Sequence, residues 1–321
     1  MDTVHEPYNL MQAVDQRTRI AGSNRMEILL FSLGGTETFG INVFKVREVT
    51  MAPKITRAPN LPEGIAGVIS LRGNIIPVLA LAGFVNGEMS AESQDTMMVT
   101  EFSCHTQGFL VHDIDRIVRV AWEDMRAPDT SLGGASNLVT AITRLPDGKL
   151  VSILDVEQIL ANVYGEAIVP EMATIEAAAT LNVLFADDSL VARKAIVQVL
   201  EHMGVQHQQT ASGQEAWERL QSMASRAQAE GVPLSSRLNA ILTDAEMPLM
   251  DGYVLTSKIK SDPRFAGIPV VMHSSLSSDA NRAMGKSVGV DAYVPKFDPM
   301  ALAETLRPLL SARVAARAGA G

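Results

Sequence analysis

Five residues after Leu181 have types and positions suited to phosphoryl chemistry. Asp187-Asp188, Asp244, Ser274 and Lys296 each follow a short apolar run. Carboxylates gathered in one place repel, by about 4 kcal/mol per pair about 4 Å apart at an effective dielectric of about 20. Such a cluster takes up protons or binds a cation. Oxygen donors without His or Cys point to magnesium rather than zinc. Lys296 would add a fixed positive charge and Ser274 a hydroxyl donor, a set that suits a transient acyl phosphate on Asp244. Taken singly, each residue has a plainer reading: helix N-cap, loop serine, surface lysine. Their joint occurrence, in order, at successive run ends is what capping does not explain.

The elements around them must bring those run ends together. Strand-like runs at 182–186, 205–210, 238–243, 268–273 and 292–294 alternate with helical patterns at 190–202, 213–229, 253–260, 279–288 and 299–313. Alternation of this kind predicts a doubly wound α/β fold with a five-stranded parallel sheet. Right-handed crossovers then place all five carboxyl ends on one edge, where such folds bind ligands.

Before Tyr164 the rhythm differs. Short strands are expected at 27–33, 38–43, 68–71, 75–81, 96–102, 108–111, 117–120, 138–145 and 149–154, with Gly, Pro and Asn turns between them. That spacing predicts a mainly β barrel or sandwich. Asp155 is a candidate N-cap for a helix to Tyr164. Pro77 predicts an edge strand or a bulge, and Arg72-Gly73 a turn exposing a guanidinium. His105 and His112 are read as flanking a turn, as surface or core residues rather than a zinc pair. The expected division is an N-terminal segment with a short helix over 1–25, a β domain over 26–164 and a linker over 165–180, helical near 175–179. An α/β domain over 181–313 and a flexible tail over 314–321 complete it.

Composition bounds the function. The chain has 321 residues, 47% apolar, with net charge −9, enough for two cores and unsuited to broad contact with nucleic acid or anionic lipid. The lone Cys104, read as a small core residue, fits a reducing compartment. With no apolar run long enough to insert in a membrane, the expected location is the cytoplasm, with membrane association only through partners.

Residues 181–310 resemble a response-regulator receiver domain, the phosphoacceptor module of two-component signalling. The matching residues are Phe185-Ala186-Asp187-Asp188-Ser189, Thr243-Asp244, Met247-Pro248, Met250-Asp251-Gly252, Ile268-Pro269-Val270, Ser274-Ser275 and Tyr293-Val294-Pro295-Lys296. The resemblance implies that Asp244 accepts phosphoryl from a histidine kinase and that Asp188, Asp244 and the Glu246 backbone carbonyl bind Mg2+. Asp187 would act through coordinated water, Ser274 and Lys296 would hold phosphoryl oxygens, and Ser274 and Tyr293 would form the switch. Phe297 stands where the family commonly has Pro. Glu246 and Leu276 occupy positions that tune phosphoryl lifetime in the family.

Residues 26–163 resemble a CheW-type coupling domain. The match runs through Leu30-Phe31-Ser32-Leu33-Gly34-Gly35, Phe39 to Val49 and Pro59-Asn60-Leu61-Pro62, and is strongest over Gly64 to Leu79. It implies two small β-barrels with an apolar seam, binding without catalysis to chemoreceptor (methyl-accepting chemotaxis protein) tips and to the CheA histidine kinase. Glu48, Arg72 and Gly73 are the candidate partner contacts. Ala80 stands where relatives often carry Asp. Coupling domain, linker and receiver in this order resemble the CheV family of chemotaxis adaptors, which implies an adaptor regulated by phosphorylation. A phosphate sink draining CheA is the alternative. An Asp-x-Asp phosphatase does not fit Asp187-Asp188-Ser189, and no DNA-binding helix-turn-helix follows the receiver.

Overall fold

The computed structural model describes residues 25–86, 96–102, 105–126, 138–165, 169–176, 180–275, 279–296 and 298–318. The readings made for Cys104, Leu276, Phe297 and the helix over 8–20 lie outside these residues, as does the side chain of His105.

The first domain is built from β1 (Arg25–Ser32), β2 (Thr38–Asn42), β3 (Val46–Met51), β4 (Ile65–Leu71), β5 (Asn74–Ala80), α1 (Leu81–Asn86) and β6 (Thr96–Phe102). It continues through β7 (His105–Val111), β8 (Asp113–Ala121), β9 (Met125–Arg126), β10 (Val139–Arg144), β11 (Leu150–Leu154) and α2 (Val156–Tyr164). Six strands form one sheet in the order β8-β1-β2-β11-β10-β9, and five form another, β3-β6-β7-β5-β4. Each sheet curls on itself. The outer strands β8 and β9 are joined by the single 3-10 turn Trp122–Asp124. In the second sheet Thr56, just past β3, bridges Val68 on β4.

Alternation sorts the side chains into three cores. Ile28 and Leu30 point into the first sheet with Trp122 and Val151. Ile76, Val78, Met97 and Val99 fill the second. The opposite faces, Leu29 and Phe31 from one sheet and Leu79, Met98 and Phe109 from the other, meet in a shared seam. Strands buried on both faces explain why Ile28-Leu29-Leu30-Phe31 is continuously apolar rather than alternating.

One expectation narrows and another needs correction. Strand β5 is not an edge strand, since it pairs with β4 and β7; of the two settings expected for Pro77, a bulge does lie beside it, between Ile65 and Gly67 of β4, and the β7 ladder begins only at Val78. No turn separates His105 from His112. Strand β7 starts at the first and ends just before the second, which holds their backbones about 20 Å apart at strand rise.

The second domain alternates β12 (Asn182–Ala186), α3 (Leu190–His202), β13 (Gln206–Thr210), α4 (Gly213–Ala229), β14 (Ala240–Thr243), α5 (Gly252–Ser261), β15 (Val270–Ser274), α6 (Asp279–Ser287), β16 (Ala292–Pro295) and α7 (Pro299–Ala318). The five strands are parallel, in the order β13-β12-β14-β15-β16. One core lies on each face. Helix α7 continues past Arg313 to Ala318, so the tail expected from residue 314 begins as helix. Its Ala and Arg residues are strong helix formers, and Val314 packs on the core.

The connecting segment is attached to the second domain. Ile175 is buried in its core, with Val169 and Met172 against it, and the Arg307 guanidinium donates to the Ala173 carbonyl at 2.6 Å. Ile175 is not helical; its N–H donates instead to the Met203 carbonyl.

Candidate functional site

Because all five strands run the same way, their carboxyl ends deliver side chains to one rim. Asp187 and Asp188 follow β12, Asp244 follows β14, Ser274 ends β15 and Lys296 follows β16. Strand β12 lies between β13 and β14, so the acidic pair faces Asp244. One carboxylate oxygen from each of Asp187, Asp188 and Asp244 lies within 4.8 Å of the others. Lys296, 1% exposed, donates to Asp244 Oδ2 at 2.8 Å and Asp187 Oδ1 at 3.1 Å.

The loops are fixed locally. Asp187 accepts from the Ser189 N–H, Ser189 caps α3, and Asp251 caps α5. Gly252 presses on the Asp244 backbone: a Cβ there would overlap the Asp244 carbonyl oxygen. The hydroxyls of Ser274 and Tyr293 are hydrogen-bonded to each other. The Tyr293 ring carries the Arg282 guanidinium at 5.1 Å from its centre.

Crowding sets the protonation. Burial, reinforced by neighbouring carboxylates, raises Asp188 and Glu246 to about 7. Burial also lifts Asp244 well above the carboxylate range despite Lys296. Desolvation opposes charge on Lys296 as well, yet Asp187, Asp244 and Glu157 keep it an ammonium. Burial pushes Tyr293 up to about 12. Asp187 Oδ2 and both Glu246 carboxylate oxygens are buried without a hydrogen-bond donor. An all-oxygen triad with such an atom fits a hard divalent cation.

The sequence reading did not anticipate three residues. His273 is buried with its Nδ1 3.8 Å from Asp187 Oδ2, and desolvation lowers its pKa, so it faces the site as neutral imidazole. Its signal was a polar residue closing the run Val270-Val271-Met272. Lys45 and Glu157 come from the first domain. Strands β2 and β11 form a parallel pair, so the turn after β2, bearing Lys45, and α2 after β11, bearing Glu157, emerge side by side. Glu157 lies 3.5 Å from Lys45 and 3.4 Å from Lys296.

Glu48 and Arg72 are paired on the second sheet of the first domain. Arg72 (φ 51) and Gly73 (φ 85) form the turn between β4 and β5, both with positive φ as a two-residue hairpin requires. The Arg72 side chain is 68% exposed. Ala80 is buried. Among the described residues no helix is long and apolar enough to cross a membrane.

Known proteins share this order of domains. Residues 27–163 match the CheW-like domain family, and residues 183–307 the response regulator receiver domain family. Chemotaxis protein CheV3 of Helicobacter pylori is 34% identical over 277 residues, covering 85% of this chain and 88% of that protein. CheV2 of the same organism is 26% identical over 322 residues, 94% of this chain and 100% of its own. Among solved structures, the scaffolding protein TtCheW from Thermoanaerobacter tengcongensis is 25% identical, with TM-score 0.40, over 51% of this chain and 96% of its own. The chemotaxis protein CheY4 of Vibrio cholerae is 27% identical, with TM-score 0.34, over 41% of this chain and 100% of its own. The chain belongs to the CheV family of chemotaxis proteins, a CheW-like domain followed by a response regulator receiver domain.

Proposed function

We propose that the chain is a chemotaxis adaptor coupling chemoreceptors to the CheA histidine kinase, regulated by CheA-dependent phosphorylation of Asp244. The observation that carries this reading is the carboxylate triad with Lys296 bonded to Asp244, in one chain with a CheW-like domain.

In the proposed transfer an Asp244 carboxylate oxygen attacks phosphorus, the P–O bond forms, and the P–N bond to the kinase histidine breaks. The imidazole leaves with the electron pair and is protonated. Such transfers need in-line placement and charge neutralisation more than a protein base. Lys296 supplies part of that neutralisation and Ser274 donates to a phosphoryl oxygen. Asp187, Asp188, Asp244 and the Glu246 backbone carbonyl would hold Mg2+, which when bound neutralises charge on the phosphoryl oxygens. When Ser274 turns toward the phosphoryl group, its bond to Tyr293 is lost, and Tyr293 is free to move inward. Glu48, Arg72 and Gly73 lie on a separate exposed surface for receptor and kinase, which would place the chain at membrane receptor arrays through those partners.

The test is CheA activity in receptor-bearing membranes with wild type and Asp244→Asn. Different kinase outputs under phosphorylating conditions are expected; identical outputs would sink the regulatory claim. A phosphoryl lifetime of seconds or less, with coupling insensitive to phosphorylation, would favour a phosphate sink.

A further inference from the structure

The first domain reaches into the phosphoacceptor site. Glu157, 2% exposed, sets both carboxylate oxygens 3.4 Å from Lys296 Nζ. Burial opposes its ionisation, but Lys296 and Lys45 outweigh that and pull it down to about 2. Lys45 lines a cavity of about 20 Å³ between the domains together with Asp188, Glu246 and Trp122, room for about one water. Asp244 itself is only 4% exposed.

We propose that the first domain docks on the phosphoacceptor face as an internal counterpart of the phosphoryl group and metal. The Glu157 carboxylate takes an anion position beside Lys296, and the Lys45 ammonium takes a cation position beside Asp188 and Glu246. This rests on the reading of Asp244 as phosphoacceptor and names how that site is regulated.

The geometry favours competition over assistance. Glu157 faces Lys296, and the carboxylates close enough to share a metal are Asp187, Asp188 and Asp244 without it. A phosphoryl group carries a charge of about −1.5 to −2 and would meet the Glu157 carboxylate across the same ammonium. A divalent cation on the triad would likewise face Lys45. A phosphohistidine carried on another protein cannot approach an Asp244 covered in this way, so loading and docking exclude each other. Ligands with unequal affinity for two states shift the balance between them, so magnesium and phosphoryl together would release the first domain.

The experiment uses the full chain, with magnesium chloride alone and with beryllofluoride as phosphoryl mimic. The radius of gyration by small-angle X-ray scattering, and the Trp122 emission in a Trp217→Phe background, report docking. Wild type should expand when both probes are present. Glu157→Gln and Lys45→Gln should be more open without ligand, and should bind magnesium and beryllofluoride about tenfold more tightly, equivalent to about 1.4 kcal/mol. A wild type whose size ignores the probes, or variants that bind them more weakly, would overturn docking as a competitor. Labelling with acetyl phosphate judges the underlying reading separately. Label that survives Asp244→Asn defeats Asp244 as acceptor, while the ligand-free size of Glu157→Gln still decides whether the domains dock through this carboxylate.

Discussion

The rim of the receiver sheet and the Arg72-Gly73 hairpin both display opposite charges in contact, yet they differ in what surrounds them. At the rim, Lys296 is shut away among carboxylates at 1% exposure; at the hairpin, Arg72 meets Glu48 with 68% of its side chain in water. Buried charges interact strongly and are costly to leave unpaired. Exposed pairs contribute about 0–1 kcal/mol. Charge at the rim is therefore tied to burial, whereas at the hairpin it stays largely in solvent.

The comparison breaks most readily at Lys296. Lys296→Met should leave buried carboxylates without their ammonium, costing about 3–5 kcal/mol at neutral pH. Chemical denaturation checks this, with magnesium restoring part of the loss; an unchanged midpoint would remove the distinction between the regions. Gly252→Ala drives a methyl group into the Asp244 carbonyl, and overpacking of this kind costs about 1–3 kcal/mol. Labelling of Asp244 should slow in parallel.

Asp188 and Glu246 give a subtler handle. Their pKa values, about 7 in the folded chain, lie above those of free carboxyl groups. They favour the folded, metal-free chain most below about pH 4, and that contribution is lost as pH rises to about 7. Magnesium must displace any proton held by Asp188. Its affinity should rise with pH, by up to about tenfold per pH unit for each proton released, as calorimetry in buffers of different ionisation heat would show. Affinity independent of pH would mean that the carboxyls are ionised before metal arrives. The smallest effect belongs to the hairpin. Arg72→Gly relieves a positive φ while losing an exposed ion pair, so thermal stability should shift by no more than about 1 kcal/mol. Receptor and kinase binding should nonetheless weaken.

How far these regions were legible in the sequence follows from topology. In a parallel sheet, every strand points to the same edge, so Asp187, Asp188, Asp244, Ser274 and Lys296 could be assigned to one rim from the order of runs alone. Asp155 as helix cap was equally readable, because capping is local. Lys45 and Glu157 were not. Their convergence depends on a parallel pairing of β2 with β11 and on contact between domains, neither of which leaves a mark in local pattern. Pro77 pointed to an edge or a bulge without deciding between them; the strand is internal and the bulge lies beside it. The connecting segment had the composition of a tether, but composition does not reveal that Ile175 completes a neighbouring core.

That last attachment limits how far the two domains can separate. Helix α2 ends at Tyr164, and the chain is held against the receiver again from Val169. The five steps between them reach about 17 Å at full extension. Surfaces leashed this closely meet at an effective concentration in the millimolar range. A contact too weak to form between separate molecules would therefore suffice to hold them shut, and its closure would not depend on how dilute the protein is. A modest loss of affinity would open it, and the same leash would return the faces to each other once the phosphoryl group is gone.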